Sequence, residues 1–141
     1  MSARGNDAWS GSGMAAMQRS WDGGILALQK CGRCDHIQFP PTRLCSACHS
    51  QRLVLEEASG RGTLLSFSEV HRAAGPEFDR YVPYTVVVVK LDEGPLIESW
   101  LVTESPKPGG DIPEIGDSVR VFIGVLNGRN LPLVRSNGSI A

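Results

Sequence analysis

The chain has 141 residues, 41% of them hydrophobic and 21% charged, and its formal net charge is −1. This composition is typical of a globular protein with one compact domain or two small ones. The slight negative charge argues against a dedicated nucleic-acid binder, and no apolar run approaches the ~20 residues that would cross a membrane.

The N-terminal segment, residues 1–13, is rich in Gly and Ser and shows no hydrophobic period, which predicts a disordered tail. It lacks the apolar stretch of a secretory signal, so the predicted location is the cytoplasm. Cysteine thiols stay reduced in that compartment, and clustered cysteines are then expected to bind metal rather than to form disulfides.

Residues 14–29 are predicted to form a short helix and a strand. Met14, Met17 and Trp21 are spaced as neighbours on one helical face, and the Gly-Gly pair at 23–24 is a typical helix end. The segment "ILALQK" that follows is predicted to be a strand that leads to the first cysteine.

Every cysteine of the chain lies in the segment "CGRCDHIQFPPTRLCSACHS", residues 31–50, as two CxxC pairs. Each pair can place two sulfur atoms on one metal ion, and four thiolates complete the tetrahedral shell that zinc accepts. The sequence therefore predicts a zinc ribbon over residues 30–57. Its Zn²⁺ would be structural, because a closed shell leaves no position for a substrate. The predicted ligands are Cys31, Cys34, Cys45 and Cys48.

Three other uses of these cysteines stay open from the sequence. Two disulfides could form, iron could occupy the site as in rubredoxin, or Cys31 and Cys34 could form a redox pair. His36 and His49 are alternative ligands by position, although with four cysteines available they are expected to remain in solvent or behind the ligands. A reducing compartment and the lack of a βαβ pattern favour the four-thiolate zinc site.

Residues 58–136 contain five strand-like segments and almost no helical period. In chain order these segments are TLLSFSEVHR, YTVVVVKL, PLIESWLV, SVRVFIGVL and LPLVRS. The Asn127-Gly128 pair predicts a hairpin turn between the last two. The fold class is therefore mainly β, with an OB-fold barrel as the first choice and an SH3-like barrel as the second. Residues 137–141 are predicted to be a C-terminal tail.

No arrangement of residues for catalysis is evident in the sequence. It contains no nucleophile elbow, phosphate-binding loop or metalloprotease motif. Glu69 and His71 lie two residues apart on a predicted strand, a spacing that surface pairs commonly show. We therefore predict that this chain has no catalytic residues.

Three aromatic residues, Trp21, Phe39 and Trp100, lie next to turns or polar residues. They could pack the ribbon against the barrel. They could instead form a partner-binding surface, where aromatic side chains are enriched. The sequence alone leaves both readings open.

The order of these segments resembles the family of zinc-ribbon and OB-fold proteins called domain of unknown function thirty-five, which is regarded as acyl-CoA-associated. The resemblance rests on "LALQKCGRC", "FPPTRLCSAC", "SGRGTLLSFSEVHR", "YVPYTVVVVKLDEG" and "EIGDSVRVFI". It extends from residue 14 to about residue 135. It implies an N-terminal helix and a rubredoxin-like zinc ribbon, followed by a five-stranded OB-fold barrel.

The resemblance also implies an accessory role that the residues alone do not show. Family members act as partners of thiolase-superfamily enzymes, or of aldolases and hydratases, in complexes that form or cleave carbon–carbon bonds. Their substrates are acyl-CoA or polyketide-like. The ribbon and helix would dock the partner, and the barrel would help to hold acyl-CoA or to shape a channel. The implied contact residues are Trp21, Phe39, Arg43 and Tyr84, to which the aromatic argument adds Trp100.

Glu98 and Ser99 depart from the family pattern, because apolar or small residues are expected in the third barrel strand. They could mark a surface specific to a subfamily. They could also be an outward-facing polar pair.

A function of another class stays open beside the accessory role. In it, the OB barrel binds single-stranded nucleic acid next to a zinc ribbon, through a cationic groove and stacking aromatics. The aromatic content of 6% and the slight negative charge disfavour this alternative.

Overall fold

The computed structural model describes residues 11–102 and 112–136. The chain forms two compact units: Met1–Ser59 with Glu93–Pro95, and Gly60–Asp92 with Leu96–Ala141. In chain order the elements are α1 (Met14–Asp22), β1 (Ala27–Cys31), β2 (Ile37–Gln38), β3 (Leu53–Glu57), β4 (Arg61–Val70), β5 (Tyr84–Leu91), β6 (Leu96–Trp100), β7 (Ser118–Leu126) and β8 (Arg129–Ser136).

Two predicted segments fall wholly or mainly outside the described residues. These are the C-terminal tail, 137–141, and all but the last three residues of the N-terminal tail, 1–13. Ser12, which belongs to the described part of the N-terminal tail, is fully buried.

Helix α1 forms where the spacing of apolar residues predicted it. Ala16, Met17 and Trp21 are buried, whereas Met14 is 41% exposed because it lies in the first turn, at the edge of the buried stripe. The helix ends at the Gly-Gly pair. Gly24 has a φ of 84°, a left-handed conformation that glycine adopts without a steric penalty.

The sheet of the first unit has the order β2-β1-β3, and both pairings are antiparallel. Gln29 of the central strand pairs with Gln38 of β2, and Cys31 pairs with Leu53 of β3. This register places the first cysteine at the end of the central strand.

The second unit is a sheet of order β6-β5-β4-β7-β8 that curls into a nearly closed barrel. All of its ladders are antiparallel, and a parallel bridge between Leu101 and Val134 joins its two ends. The N–H of Val102 donates to the carbonyl of Val134 at 2.7 Å in this junction. The barrel is an OB-fold, so the first choice of the sequence analysis is confirmed and the SH3-like alternative is wrong.

The interior of the barrel follows the two-residue period of its strands. The residues below 5% exposure that fill it are Leu64, Val87, Val89, Leu91, Ile97, Val119, Val121 and Val134. The hairpin predicted at Asn127-Gly128 is present, with φ angles of 52° and 79°. Positive φ at both central residues is the signature of a type I′ turn, which matches the twist of the flanking strands.

Two features of the second unit differ from what the sequence predicts. The loop before β5 contains a 3-10 helix, Pro76–Tyr81. Ser99 is buried and donates its hydroxyl to the carbonyl of Pro132, whereas Glu98 is exposed. The interpretation of Glu98 and Ser99 as an outward-facing pair is therefore wrong, because neighbours on a strand point to opposite faces.

Candidate metal centre and contact residues

The two CxxC segments fold as equivalent turns. In each, the residue after the second cysteine donates its N–H to the carbonyl of the first: Asp35 to Cys31 at 3.0 Å, and His49 to Cys45 at 2.8 Å. Both donors have left-handed backbone, with φ of 68° and 65°. The repeated geometry turns each pair of sulfurs toward one point.

All four sulfur atoms lie within 4.8 Å of one another. The Sγ atoms of Cys31 and Cys48 are 3.6 Å apart, as are those of Cys34 and Cys45. A tetrahedral ion with Zn–S bonds of 2.3 Å requires about 3.8 Å between sulfurs, so the site fits such an ion. A disulfide needs about 2.05 Å between its two sulfur atoms. All four cysteines are therefore free, and the structure does not contain the disulfides of the alternative interpretation.

Backbone N–H groups stabilise negative charge on two of the sulfurs. The N–H groups of Arg33 and Cys34 point at the sulfur of Cys31 at 3.3 and 3.4 Å, and that of Ala47 points at Cys45 at 3.4 Å. The hydrogen bond from Cys34 is the largest cause that lowers the pKa of Cys31, to about 6. Burial opposes the hydrogen bonds at Cys45, yet the pKa of its thiol is also lowered. Such a donor set suits a metal that binds thiolates.

The pKa of Cys34 shifts in the opposite direction from those of Cys31 and Cys45. The N–H of His36 lowers the pKa of Cys34, but burial and contacts with the other three sulfurs outweigh it and raise the pKa to about 12. Cys34 therefore keeps its proton at neutral pH until a metal displaces it.

We expect zinc affinity to fall with decreasing pH, and more steeply below pH 6 than above it. Above pH 6, Cys31 is already a thiolate and Cys34 still loses a proton on binding; below pH 6, Zn²⁺ must displace the proton of Cys31 as well. Competition with a chromophoric chelator from pH 5 to 8 measures this dependence. An affinity independent of pH would contradict it.

The two histidines near the site are not part of the sulfur cluster. Nε2 of His36 lies 3.0 Å from the hydroxyl of Ser46, and His49 occupies the left-handed position described above. Within the described residues, the group with metal-binding geometry contains only cysteines. The structure therefore agrees with four thiolates rather than a site that includes histidine.

A buried network of polar side chains, which the sequence patterns did not predict, holds the linker between the two CxxC turns. Nε2 of Gln29 donates to the carbonyls of Ser12 and Thr42 at 3.2 and 2.9 Å, while its Oε1 accepts from the N–H of Thr42 at 2.9 Å. Nε2 of Gln38 donates to Oε1 of Gln29 at 2.6 Å and to Leu44 at 3.2 Å. The only signal in the sequence was a glutamine inside an apolar strand.

The contact residues predicted in the first unit lie in two places. Trp21 is buried and Phe39 is half-buried, and their ring centroids are 6.4 Å apart. Arg43 and Leu44 are exposed on the linker that the glutamine network holds. The side chains of Arg43 and Leu44 thus face solvent from a backbone that hydrogen bonds hold in place. Trp21 instead packs inside its own unit.

Tyr84 and Trp100, predicted as contacts in the barrel, stack with centroids 3.8 Å apart. Phe78 and Tyr81 of the 3-10 helix pack on Trp100 at 5.6 and 5.4 Å, and Arg80 lies over Tyr81 at 4.9 Å. We call these four rings the aromatic cluster. Phe78 and Tyr81 were not predicted, because the loop that carries them has no period.

The pair considered for acid–base chemistry lies at the surface. His71 Nε2 is 2.8 Å from Glu69 Oε1, with the histidine side chain 71% exposed. This agrees with the reading of Glu69 and His71 as a surface pair.

An open cleft of about 350 Å³ lies in the first unit. It is lined by His36, Ile37, Gln38, Phe39, Ser46 and Glu93–Pro95. Four of the lining side chains are polar, His36, Gln38, Ser46 and Glu93, and Ile37, Phe39 and Pro95 are apolar.

Comparison with known families and proteins gives consistent matches. Residues 22–54 match the family model for the rubredoxin-like zinc ribbon domain of ChsH2, and residues 55–123 match that for its C-terminal OB-fold domain. In the described residues, no helix is long and apolar enough to span a membrane.

Three similar proteins illustrate the matches. A DUF35 domain-containing scaffold protein of Methanothermobacter thermautotrophicus is 33% identical, over 68% of this chain and 69% of its own. A probable enoyl-CoA hydratase alpha subunit of Thermomonospora curvata is 33% identical over 57% of this chain but only 25% of its own length. A chain of the solved Ltp2-ChsH2(DUF35) aldolase superposes with a TM-score of 0.72 at 29% identity, covering 86% of this chain and 92% of that one.

Proposed function

Because this chain belongs to the DUF35 family of scaffold proteins, with a zinc ribbon and an OB-fold domain, we propose that it is the non-catalytic subunit of an enzyme complex. Its partner would be an aldolase-type or thiolase-superfamily subunit that makes or breaks carbon–carbon bonds in acyl-CoA or polyketide-like substrates. The observation that carries the proposal is the similarity to a chain of the Ltp2-ChsH2(DUF35) aldolase over nearly the whole of that chain.

We propose that Zn²⁺ is the ion held by Cys31, Cys34, Cys45 and Cys48. The sulfur separations and the N–H donors to the sulfurs support this choice. Bound zinc would supply folding free energy to the ribbon and no reaction chemistry, because four thiolates leave no open coordination position. Such a site needs reduced thiols, which supports a cytoplasmic location.

The exposed linker is the part of the ribbon that we propose to contact the partner. Arg43 and Leu44 lie on a backbone fixed by the glutamine network, so binding would cost little ordering of this segment. Arginine is also enriched among the residues that carry binding energy at interfaces.

We further propose that the cleft in the first unit contributes to the passage of an acyl-CoA substrate. Its volume falls in the range of small-molecule sites, and Phe39 and Ile37 supply the apolar wall that a pantetheine arm would need.

Co-expression with the aldolase-type or thiolase-superfamily protein encoded nearest to this chain tests the proposal. We expect the two to co-purify, and the partner to be inactive or insoluble alone.

Arg43→Glu is expected to weaken the complex by about tenfold, because it reverses an exposed charge without touching the core. Arg52→Glu, also exposed and in the same unit, is the matched control. If wild-type protein never co-purifies and instead binds single-stranded nucleic acid in a salt-sensitive manner, the nucleic-acid alternative replaces the proposal.

A further inference from the structure

Three arginines lie side by side across the outer face of the barrel. Arg61 of β4 pairs with Arg120 of β7, and Arg120 pairs with Arg135 of β8. Residues directly opposite each other on neighbouring strands share a face. The neighbours Gly62, Val119 and Val134 point inward and are buried, so the three arginines point outward. We call them the arginine row.

Within the described residues, one arginine of the row has a carboxylate partner. Arg61 Nε lies 3.4 Å from the carboxylate of Asp92. In the described part of the chain, no carboxylate forms an ion pair with Arg120 or Arg135, and Nε of Arg135 is buried without an acceptor. Arg135 instead lies over the ring of Phe122, at 4.9 Å from its centroid.

The next row on the same face adds a further cation. Lys90 pairs with Thr63, which pairs with Ser118, so Lys90 is exposed beside two hydroxyl side chains. Like charges directly opposite each other destabilise a sheet. An anion from outside the chain would relieve this repulsion.

We propose that the arginine row docks a carboxylate-rich surface of the partner subunit. The inference rests on the proposed function and assigns a face of the barrel to it. Arginine and aromatic residues, here Arg120, Arg135 and Phe122, are the types enriched at protein interfaces. The outer face of a barrel is convex, which suits another protein surface better than a small phosphate ligand that needs a concave site.

Arg120→Glu separates this role from folding. The variant places a carboxylate between Arg61 and Arg135, so cross-strand attraction replaces repulsion and the melting temperature is expected to be unchanged or higher. The dissociation constant of its complex with the co-expressed partner is expected to rise by about 10- to 100-fold, and to depend less on salt. Arg135→Gln is also expected to raise the dissociation constant of the complex. Arg72→Glu, an exposed reversal just after β4, is the control expected to bind normally.

The outcomes distinguish the two proposals. If wild-type protein binds the partner and Arg120→Glu and Arg135→Gln bind equally well, the arginine row has no docking role, while the proposed function stands. If the variants lose affinity for coenzyme A but not for the partner, the row binds phosphate and the docking proposal is wrong. If wild-type protein binds no partner at all, both proposals fail together.

Discussion

Cys45→Ser is expected to abolish metal binding and to unfold the ribbon. Cys45 is fully buried, and its sulfur lies 3.6 Å from that of Cys34. Three thiolates and a buried hydroxyl bind zinc far more weakly, and binding of a structural zinc is worth on the order of 10 kcal/mol of folding free energy. Zinc content by atomic emission and amide hydrogen exchange over residues 14–59 measure the two effects.

Ala47→Ser is the matched control, because it adds a hydroxyl on the same turn at an exposed position and removes no ligand. We expect it to keep one zinc per chain. The barrel has its own buried core, so amide protection at Leu64 and Val89 is expected to survive in Cys45→Ser. If Cys45→Ser kept a stoichiometric metal and a protected ribbon, the four-thiolate site would be refuted.

The features that were predictable from the sequence are those set by local spacing. Two residues between cysteines suffice to build each turn, whose hydrogen bond from Asp35 or His49 spans four residues. The barrel strands follow a two-residue period, and Asn-Gly specifies the type I′ hairpin between β7 and β8. Local geometry therefore accounts for the close approach of the four cysteines and for most of the strands.

The features that were not predictable depend on contacts between residues far apart in sequence. Ser99 is buried because it meets Pro132, 33 residues away. The 3-10 helix has no periodic pattern of its own, and Phe78 and Tyr81 pack on Trp100 of β6. The arginine row depends on the register of three strands, which the sequence does not reveal.

Buried glutamines of the ribbon are the clearest case of such long-range contacts. Gln29 meets Ser12 and Thr42, which lie 17 and 13 residues from it, and Gln38 joins them. From sequence patterns alone, a polar residue in a strand is expected to face solvent. In the folded ribbon, the buried glutamine instead supplies the hydrogen-bond partners that the backbone of the linker would otherwise lack.

Gln29→Leu is therefore expected to destabilise the ribbon, although the change keeps the size of the side chain and adds apolar surface. It removes the partner of the N–H and carbonyl of Thr42, whereas Nε2 of Gln38 keeps its bonds to Thr42 and Leu44. A polar group that loses its partner where water cannot replace it costs about 1–3 kcal/mol. We expect a loss of about 1–3 kcal/mol in the unfolding free energy of the first unit. Urea titration followed by amide hydrogen exchange over residues 14–59 measures it.

Gln51→Leu makes the same chemical change at an exposed position and is expected to alter stability little. The comparison also tests how the linker is presented. If the network fixes Arg43, Gln29→Leu should weaken partner binding even at temperatures where the zinc site is fully occupied, because the linker must then be ordered on binding. Equal stability of the two leucine variants would show that the buried hydrogen bonds do not hold the linker.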